Sequence, residues 1–412
     1  MNRFDMHRFE NKPILFVSNG HGEDDIACKV LSELMDILPH DTHIEAWPMV
    51  GSGDAYRSMG IPIVGPSNLL PSEGFATLSW DLMKRDLRSG WISTHWKQYR
   101  FAEKRISGRY NLVVGVGDII PLLVGYFSRV PLHFIACAKS AYYKDTFDGY
   151  TWLERMLMRK VCKAIYPRDR LTTERLRMSN VKTTYLGNPM MDGLEYERDL
   201  ERTNKNTKWI SVLPGSRQDV LANILHLMQV IEELMQDRKL SDLMGFKFAI
   251  YDMLPVSDIH KMISNTNALA YLKRVEPMHK AEPENTLEYE YPNGARLVFA
   301  KRQLPEILHT STLTIGMAGT ANEQSIGLGN PLIVIPSEGA QGKNYVAMKM
   351  KYFGEAAELA PRDPKQAAKV ILDVLTNPKR GVEMAKAGRE RMGSPGASLR
   401  IANSIAQELG IK

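Results

Sequence analysis

Twice along this 412-residue chain, a short apolar, β-branched run ends in a glycine turn that opens directly into a helical pattern. Few folds accommodate that arrangement. Strands covered on both faces read as continuous apolar runs, and their alternation with amphipathic helices marks a parallel sheet wrapped by helices. The first run, residues 14–17, breaks at Asn19-Gly20-His21-Gly22 and leads into a helix expected over 24–38. Strands are expected at 44–48, 61–64 and 112–116, the last followed by a turn at Gly117-Asp118 and a helix at 121–127. Further strands read at 132–137, 164–166 and 183–186. The pattern restarts with a strand at 209–213, a turn at Pro214-Gly215-Ser216-Arg217 and a helix over 220–236. Strands at 247–251, 295–300, 313–316 and 332–335 continue it, with helices at 305–310 and 321–328.

The fold class is therefore α/β, and the length calls for two domains. The polar stretch 195–208 carries no apolar periodicity and is the natural linker. It separates an N-terminal domain, 1–194, from a C-terminal one, 209–395, with a last segment at 396–412 holding a helix over 397–409. Residues 280–294 are acidic and tyrosine-rich, and close on the hairpin turn Tyr291-Pro292-Asn293-Gly294, a decoration of the second domain.

Composition narrows the setting. Hydrophobic residues at 44% and charged residues at 24% suit ordinary globular cores, and the net charge of +6 suits an anionic partner without choosing one. Three cysteines, Cys28, Cys137 and Cys162, are too few and too scattered for a disulfide framework, and none has metal-ligand spacing, so a reduced, cytoplasmic setting is expected. The first twelve residues lack the apolar core of a signal peptide. No run approaches the ~20 apolar residues that cross a bilayer, so a soluble protein that can touch a membrane surface is expected.

Four loops could carry chemistry. In Leu213-Pro214-Gly215-Ser216-Arg217, Gly215 permits a tight turn and close ligand approach, Ser216 can cap the next helix or bond a phosphate oxygen, and Arg217 offers a fork of donors suited to phosphate. An ordinary strand-to-helix turn with an exposed arginine explains the same residues. In Gly316-Met317-Ala318-Gly319-Thr320-Ala321-Asn322-Glu323-Gln324, Thr320 and Glu323 have capping-box spacing. The alternative has amides near Gly319 and Thr320 facing a diphosphate, with Glu323 or Gln324 accepting from ribose hydroxyls. Asn19-Gly20-His21-Gly22-Glu23-Asp24 ends the first strand, where open α/β sheets place ligands, and His21, Glu23 and Asp24 are candidate bases. Asp118 ends the central strand and is either a base toward the same cleft or the N-cap of the next helix.

In this order the segments resemble lipid-A-disaccharide synthase, and more closely the synthase-related proteins of cyanobacteria. The matching pieces are residues 16–24, Gly115-Val116-Gly117-Asp118-Ile119-Ile120-Pro121-Leu122, Ala138-Lys139-Ser140-Ala141-Tyr142-Tyr143, Leu186-Gly187-Asn188-Pro189-Met190-Met191-Asp192, Leu213 to Arg217, and residues 318–324. The resemblance spans nearly the full chain. It implies the GT-B fold, two Rossmann-like domains facing a central cleft, with a UDP-sugar on the C-terminal domain, an acceptor on the N-terminal one, and a terminal helix crossing back. Arg217 would hold the donor diphosphate, and Asn19, Gly20, Gly22 and Asn188 would belong to the acceptor loops. Three departures stand out. The synthase's Gly-Glu-x-Ser-Gly-Asp is Gly20-His21-Gly22-Glu23-Asp24 here, its His-Pro is Asn188-Pro189, and its glutamate position holds Gln324. They bear on substrate rather than on fold.

The expected reaction is an inverting glycosyl transfer, with Asp118, His21 or Glu23 as the base and Arg217, backbone amides and a helix N-terminus meeting the charge of departing UDP. No Asp-x-Asp motif is visible, so neither metal nor cofactor is expected beyond the UDP-sugar co-substrate, and nucleic acid is not an expected partner. A lipid-linked acceptor is expected from the stretch 80–109, where Trp80, Trp91 and Trp96 lie among Lys84, Arg85, Arg88, Lys97, Arg100, Lys104, Arg105 and Arg109, a composition suited to the anionic inner face of a membrane. Amphipathic helices with buried tryptophans would read the same way. Two other functions fit the sequence: a UDP-sugar 2-epimerase, and a non-catalytic nucleotide-sugar or lipid-binding protein of the same fold.

Overall fold

A computed structural model describes residues 12–67, 91–143, 147–196, 208–236, 244–275, 284–338 and 343–411. The chain divides into two compact units, Met1–Asp192 together with Gly393–Lys412, and Gly193–Met392.

Unit 1 runs β1 (Ile14–Ser18), α1 (His21–Ile37), β2 (Ile44–Pro48), α2 (Asp54–Ser58), α3 (Trp91–Phe101), β3 (Leu112–Val116), α4 (Ile119–Ser128), β4 (Leu132–Ala136), α5 (Trp152–Val161), β5 (Cys162–Pro167) and α6 (Arg170–Met178). Its five strands are parallel in the order β2-β1-β3-β4-β5. Every residue of β1, β3 and β4 is buried, which is why these strands read as unbroken apolar runs. Gly115 interrupts β3 because a Cβ there would lie 2.7 Å from Pro121 and 3.0 Å from Leu132. The helix Ala397–Glu408 closes this unit, burying Ile401, Ala402 and Ile405. Asp192 caps its start, with Oδ2 accepting from Ser398 N at 2.6 Å, a carboxylate where the helix dipole favours one.

Three expectations for this half need correction. The helix after β1 starts at His21 rather than residue 24, because Asp24 N already donates to Gly20 O at 2.9 Å. Residues 61–64 make only an isolated bridge, Ala46 to Ile63. Residues 183–186 form no strand. Thr184 N reaches Ile165 O, but the Arg177 side chain takes the Thr183 carbonyl at 2.8 and 3.0 Å, so side-chain bonds occupy what a strand ladder would use.

Unit 2 runs β6 (Lys208–Leu213), α7 (Val220–Met235), β7 (Met244–Ile250), α8 (Val256–Ser264), β8 (Lys273–Val275), β9 (Thr286–Glu290), β10 (Arg296–Lys301), α9 (Leu304–Thr310), β11 (Ser311–Gly316), α10 (Thr320–Leu328), β12 (Leu332–Val334), α11 (Lys343–Phe353), β13 (Ala357–Leu359), α12 (Pro364–Leu375) and α13 (Pro378–Met392). Its sheet is ordered β13-β12-β11-β6-β7-β10-β9-β8, parallel except where β9 runs against both neighbours. The acidic, tyrosine-rich stretch is thus integral to the sheet, not an appendage. Its described residues supply β9 and the turn into β10, and Arg296 on β10 pairs across to Glu288 at 2.6 Å. A core of α7, α12 and the central strands includes Ile224, Ile231, Phe246, Phe299 and Ile371.

One topological feature positions the chemistry. In unit 1 the chain places β2 on one side of β1 and β3 on the other, and in unit 2 it places β7 and β11 on opposite sides of β6. Open α/β sheets bind ligands beyond the carboxyl ends of strands at such switch points. Most of the expected linker (residues 197–207) and the residues Trp80, Lys84, Arg85 and Arg88 lie outside the described residues.

Candidate active site

Unit 1 gathers its candidates beyond the ends of β1 and β3. Asp118 caps α4, with Oδ1 accepting from Ile120 N at 3.0 Å, and Asn19 Nδ2 reaches its two oxygens at 3.3 and 3.4 Å. Capping and a role as base are therefore not exclusive, because among the described residues the other carboxylate oxygen is met by the longer Asn19 contact alone. Burial pushes the Asp118 carboxyl above its ordinary pKa, against the pull of the Ile120 amide, the Lys139 ammonium and Asn19. Glu23 lies in the same crevice. A Cβ on Gly20 would sit 2.5 Å from its Oε2, and one on Gly117 would sit 3.2 Å from its Cγ. Gly117 is also left-handed, at φ +128°, so two glycines clear the space this carboxylate occupies.

His21 is the exposed first residue of α1, and its ring rests on Gly51. Gly22 is exposed beside it with open space around its Cα. Asp24 stands apart, buried beneath the first turn of α1. Ser18 Oγ donates to its Oδ1 at 2.5 Å and meets Tyr56 OH at 2.8 Å. Burial raises the Asp24 pKa to about 7, with the Ser18 hydrogen bond opposing and Glu23, Asp25 and Asp54 adding to the rise. Asn188 is fully buried as the cap of the turn Pro189–Met191, accepting from Met190 N at 3.2 Å.

Sequence reasoning missed two neighbours of Asp118. Lys139, just past β4, is ion-paired to Glu154 of α5, whose side chain is 1% exposed. Glu154 is fixed by a capping box, its Oε2 accepting from both Thr151 N and Thr151 Oγ1 at 2.8 Å. The Thr-x-x-Glu spacing was legible; the ion pair to Lys139 was not. Tyr99 on α3 is the second, its pKa raised to about 12 by burial and then by the charge of Asp118.

Unit 2 gathers its candidates beyond the ends of β6 and β11. Gly215 is left-handed at φ +92°, and Asn223 on α7 fastens the turn by donating to Pro214 O at 3.0 Å. Arg217 is half-buried and Ser216 exposed. The helix begins only at Val220, with Asp219 at the cap position, so Ser216 is not its cap. The two loops are tied where Met317 N donates to Leu213 O at 2.8 Å. Gly319 occupies the cap position of α10, and no side chain caps the helix. The expected Thr320–Glu323 capping box is accordingly not formed. Glu323 is instead buried and ion-paired with Lys349 of α11, while Gln324 is half-buried. Asn322 lies over Gly316, where a Cβ would clash with its carboxamide at 2.1 Å.

Unit 1 therefore offers carboxylates that handle protons, and unit 2 offers a glycine turn, an arginine and a helix start free of a side-chain cap, the elements of an anion site. Among the described residues no group of three or more His, Cys, Asp or Glu could hold a metal ion. No helix among them is long and apolar enough to cross a membrane.

No family model and no curated protein matches the sequence. Solved structures do match. MurG from Acinetobacter baumannii superposes with a TM-score of 0.57 at 12% identity, covering 96% of this chain and 100% of that one. MnaA from S. aureus, solved with UDP, gives 0.56 at 10% identity over 98% of each chain. A UDP-GlcNAc 2-epimerase from Neisseria meningitidis bound to UDP-GlcNAc gives 0.52 at 12% identity, over 96% of this chain and 100% of that one. At these identities the likeness establishes the fold, two Rossmann-like α/β units of the GT-B type.

Proposed function

We propose that the chain is an inverting glycosyltransferase moving a sugar from a UDP-sugar to a lipid-linked acceptor, and that it is related to lipid-A-disaccharide synthase. The observation that carries this reading is the division of candidates between two switch points. Asn19, Glu23 and Asp118 gather at one, and Gly215, Arg217, Gly319 and Thr320 at the other. Neighbours of the same fold solved with UDP or UDP-GlcNAc support a nucleotide-sugar as the ligand.

In this mechanism Asp118 accepts the proton of an acceptor hydroxyl as its oxygen attacks the anomeric carbon. The bond from that carbon to UDP breaks, and the anomeric configuration inverts. Negative charge builds on the departing diphosphate, where Arg217 and the first amides of α10 meet it. Of the three candidate bases, Asp118 fits best because burial raises its pKa and hydrogen bonds from Ile120 N and Asn19 fix its seat.

A lipid-linked acceptor is supported by an aromatic and cationic surface that leads to this base. Trp96 is 58% exposed with the Arg100 guanidinium 4.6 Å above its ring. Tyr126 and Phe127 are exposed, Lys160 lies 4.8 Å over Tyr126, and Phe127 stacks at 4.9 Å on Tyr99, beside Asp118. Aromatic rings with adjacent cations suit an anionic bilayer interface, which supports a peripheral position on the inner face of a membrane.

A second reading, a UDP-sugar 2-epimerase, is favoured by the 2-epimerases among the structural neighbours. Incubation with a panel of UDP-sugars and a membrane-lipid extract, read by mass spectrometry, separates the two. The expected result is free UDP with a lipid heavier by one sugar. An isomerised UDP-sugar in the absence of lipid establishes the epimerase instead.

A further inference from the structure

The loop that leaves β1 is closed by side chains at both of its ends. Ser18, the last residue of β1, donates from Oγ to Asp24 Oδ1 at 2.5 Å, a hydrogen bond that spans six positions of the chain. The same Oγ lies 2.8 Å from Tyr56 OH on α2. A serine hydroxyl carries one proton, and here Asp24 receives it, so Tyr56 is the donor in the second bond. All three side chains are buried, Ser18 and Tyr56 completely. Burying a carboxyl, a hydroxyl and a phenol is costly unless they satisfy one another, and a satisfied network specifies one arrangement.

The local backbone shows what this network holds. Gly20 occupies the cap position of α1, so the helix has no side-chain cap. In many helices the entry angle of the chain is fixed by an apolar contact between the residue before the cap and the fourth helical residue. Here the corresponding contact is polar. Asp24 is the fourth residue of α1, and Ser18 precedes the cap by two. The residues that reach the crevice are the inner neighbours of this pair. Asn19 follows Ser18 and extends its amide to Asp118, while Glu23 precedes Asp24 and fills the space that Gly20 and Gly117 leave open. Met49 N fixes Ser18 further by donating to its carbonyl at 2.9 Å, and the His21 ring rests on Gly51 of the same segment.

We propose that Ser18, Asp24 and Tyr56 form a polar staple that positions Asn19 and Glu23 against Asp118. They are positioning residues, acting on the base through the loop they close. This inference rests on reading Asp118 as the base of the proposed transfer. Without the staple, the loop is no longer held across its base, and Asp118 loses the amide that orients it from the β1 side. A displacement of about 1 Å in such a constellation can cost about 10²-fold in rate.

The test compares the full chain with Ser18→Ala, which removes the staple, and Asp24→Asn, which keeps an oxygen to accept from Ser18. Hydrogen exchange of the intact protein, read by mass spectrometry on peptides covering 19–28 and 112–116, needs no substrate. Faster exchange at 19–28 in Ser18→Ala, with 112–116 unchanged and Asp24→Asn close to the wild type, supports the staple. Wild-type exchange at 19–28 in Ser18→Ala overturns it, as does acceleration shared equally by 112–116 or equal loosening in Asp24→Asn. Where Ser18→Ala fails to fold, Tyr56→Phe takes its place. It removes the donor to Ser18 and should loosen 19–28 selectively, and no change there overturns the inference. A loosened loop in a protein that transfers no sugar would count against the proposed function and leave the staple standing. In a protein that does transfer, Ser18→Ala should lower kcat roughly 10–100-fold with KM for the UDP-sugar unchanged. A kcat that holds while the loop loosens overturns the inference.

Discussion

The two units share an architecture and differ in what they place at its switch point. In unit 1 the crevice beyond β1 and β3 is lined with carboxylates, Asp118 and Glu23, with Asp24 buried below and Lys139 and Glu154 beside them. In unit 2 the equivalent place holds glycines, Arg217 and the uncapped start of α10, and the buried carboxylate there, Glu323, is ion-paired with Lys349. The same topology thus serves opposite electrostatics. Burial raises carboxyl pKa values in unit 1, as the proposed proton transfer requires, while unit 2 presents a guanidinium and backbone amides of the kind anions favour. The proposed division of labour between donor and acceptor rests on this contrast more than on any single motif.

The contrast can be broken at its strongest point first. Asp118→Asn keeps an oxygen to accept from Ile120 N but cannot take a proton, so turnover should fall roughly 10²–10⁴-fold with UDP affinity retained. Because burial raises the Asp118 pKa, the acidic limb of kcat/KM in the wild type should lie above the ordinary carboxylate range. Steady-state kinetics across pH check both.

Asp24 gives the next effect, on stability. Its pKa rises from 3.8 to about 7 on folding, so between those values the folded state binds the extra proton. Its contribution is fully present below about pH 4 and is lost as pH rises through 7, by at most roughly 4 kcal/mol. Urea unfolding at pH 5 and pH 8 should show the wild type losing stability with rising pH. Asp24→Asn, which keeps an acceptor for Ser18, should flatten that loss.

The smallest effect concerns the surface. Each basic residue near an anionic bilayer contributes ~1 kcal/mol, so Arg100→Gln with Lys160→Gln should weaken flotation with anionic liposomes about tenfold or more. No flotation of the wild type with any lipid would remove the membrane reading.

Much of this was legible in the chain. Continuous apolar runs ending in glycine located the central strands of both sheets, because such runs follow from burial on both faces. The loops after β1, β3, β6 and β11 were legible for the same reason. What stayed hidden depends on contacts between distant residues. Glu323 has capping-box spacing to Thr320, yet Lys349, twenty-six positions on, takes it. Ser216 has the chemistry of a cap, but the turn runs on to Asp219 before the helix starts. Residues 183–186 have strand composition, but the Arg177 side chain claims the backbone a ladder would need. Lys139 and Glu154 meet only once β4 and α5 are packed. Local spacing reports what a residue can do, and tertiary partners decide which of those options it takes.

The division between the two units is tested most directly by calorimetric titration of UDP into the wild type, Arg217→Ala and Asp118→Asn. Loss of a charge-assisted contact to phosphate is worth ~1.5–3 kcal/mol, so Arg217→Ala should bind UDP roughly 10–100-fold more weakly, while Asp118→Asn binds it as the wild type does. Unchanged affinity in Arg217→Ala, or a matching loss in Asp118→Asn, would contradict the assignment of the donor to unit 2.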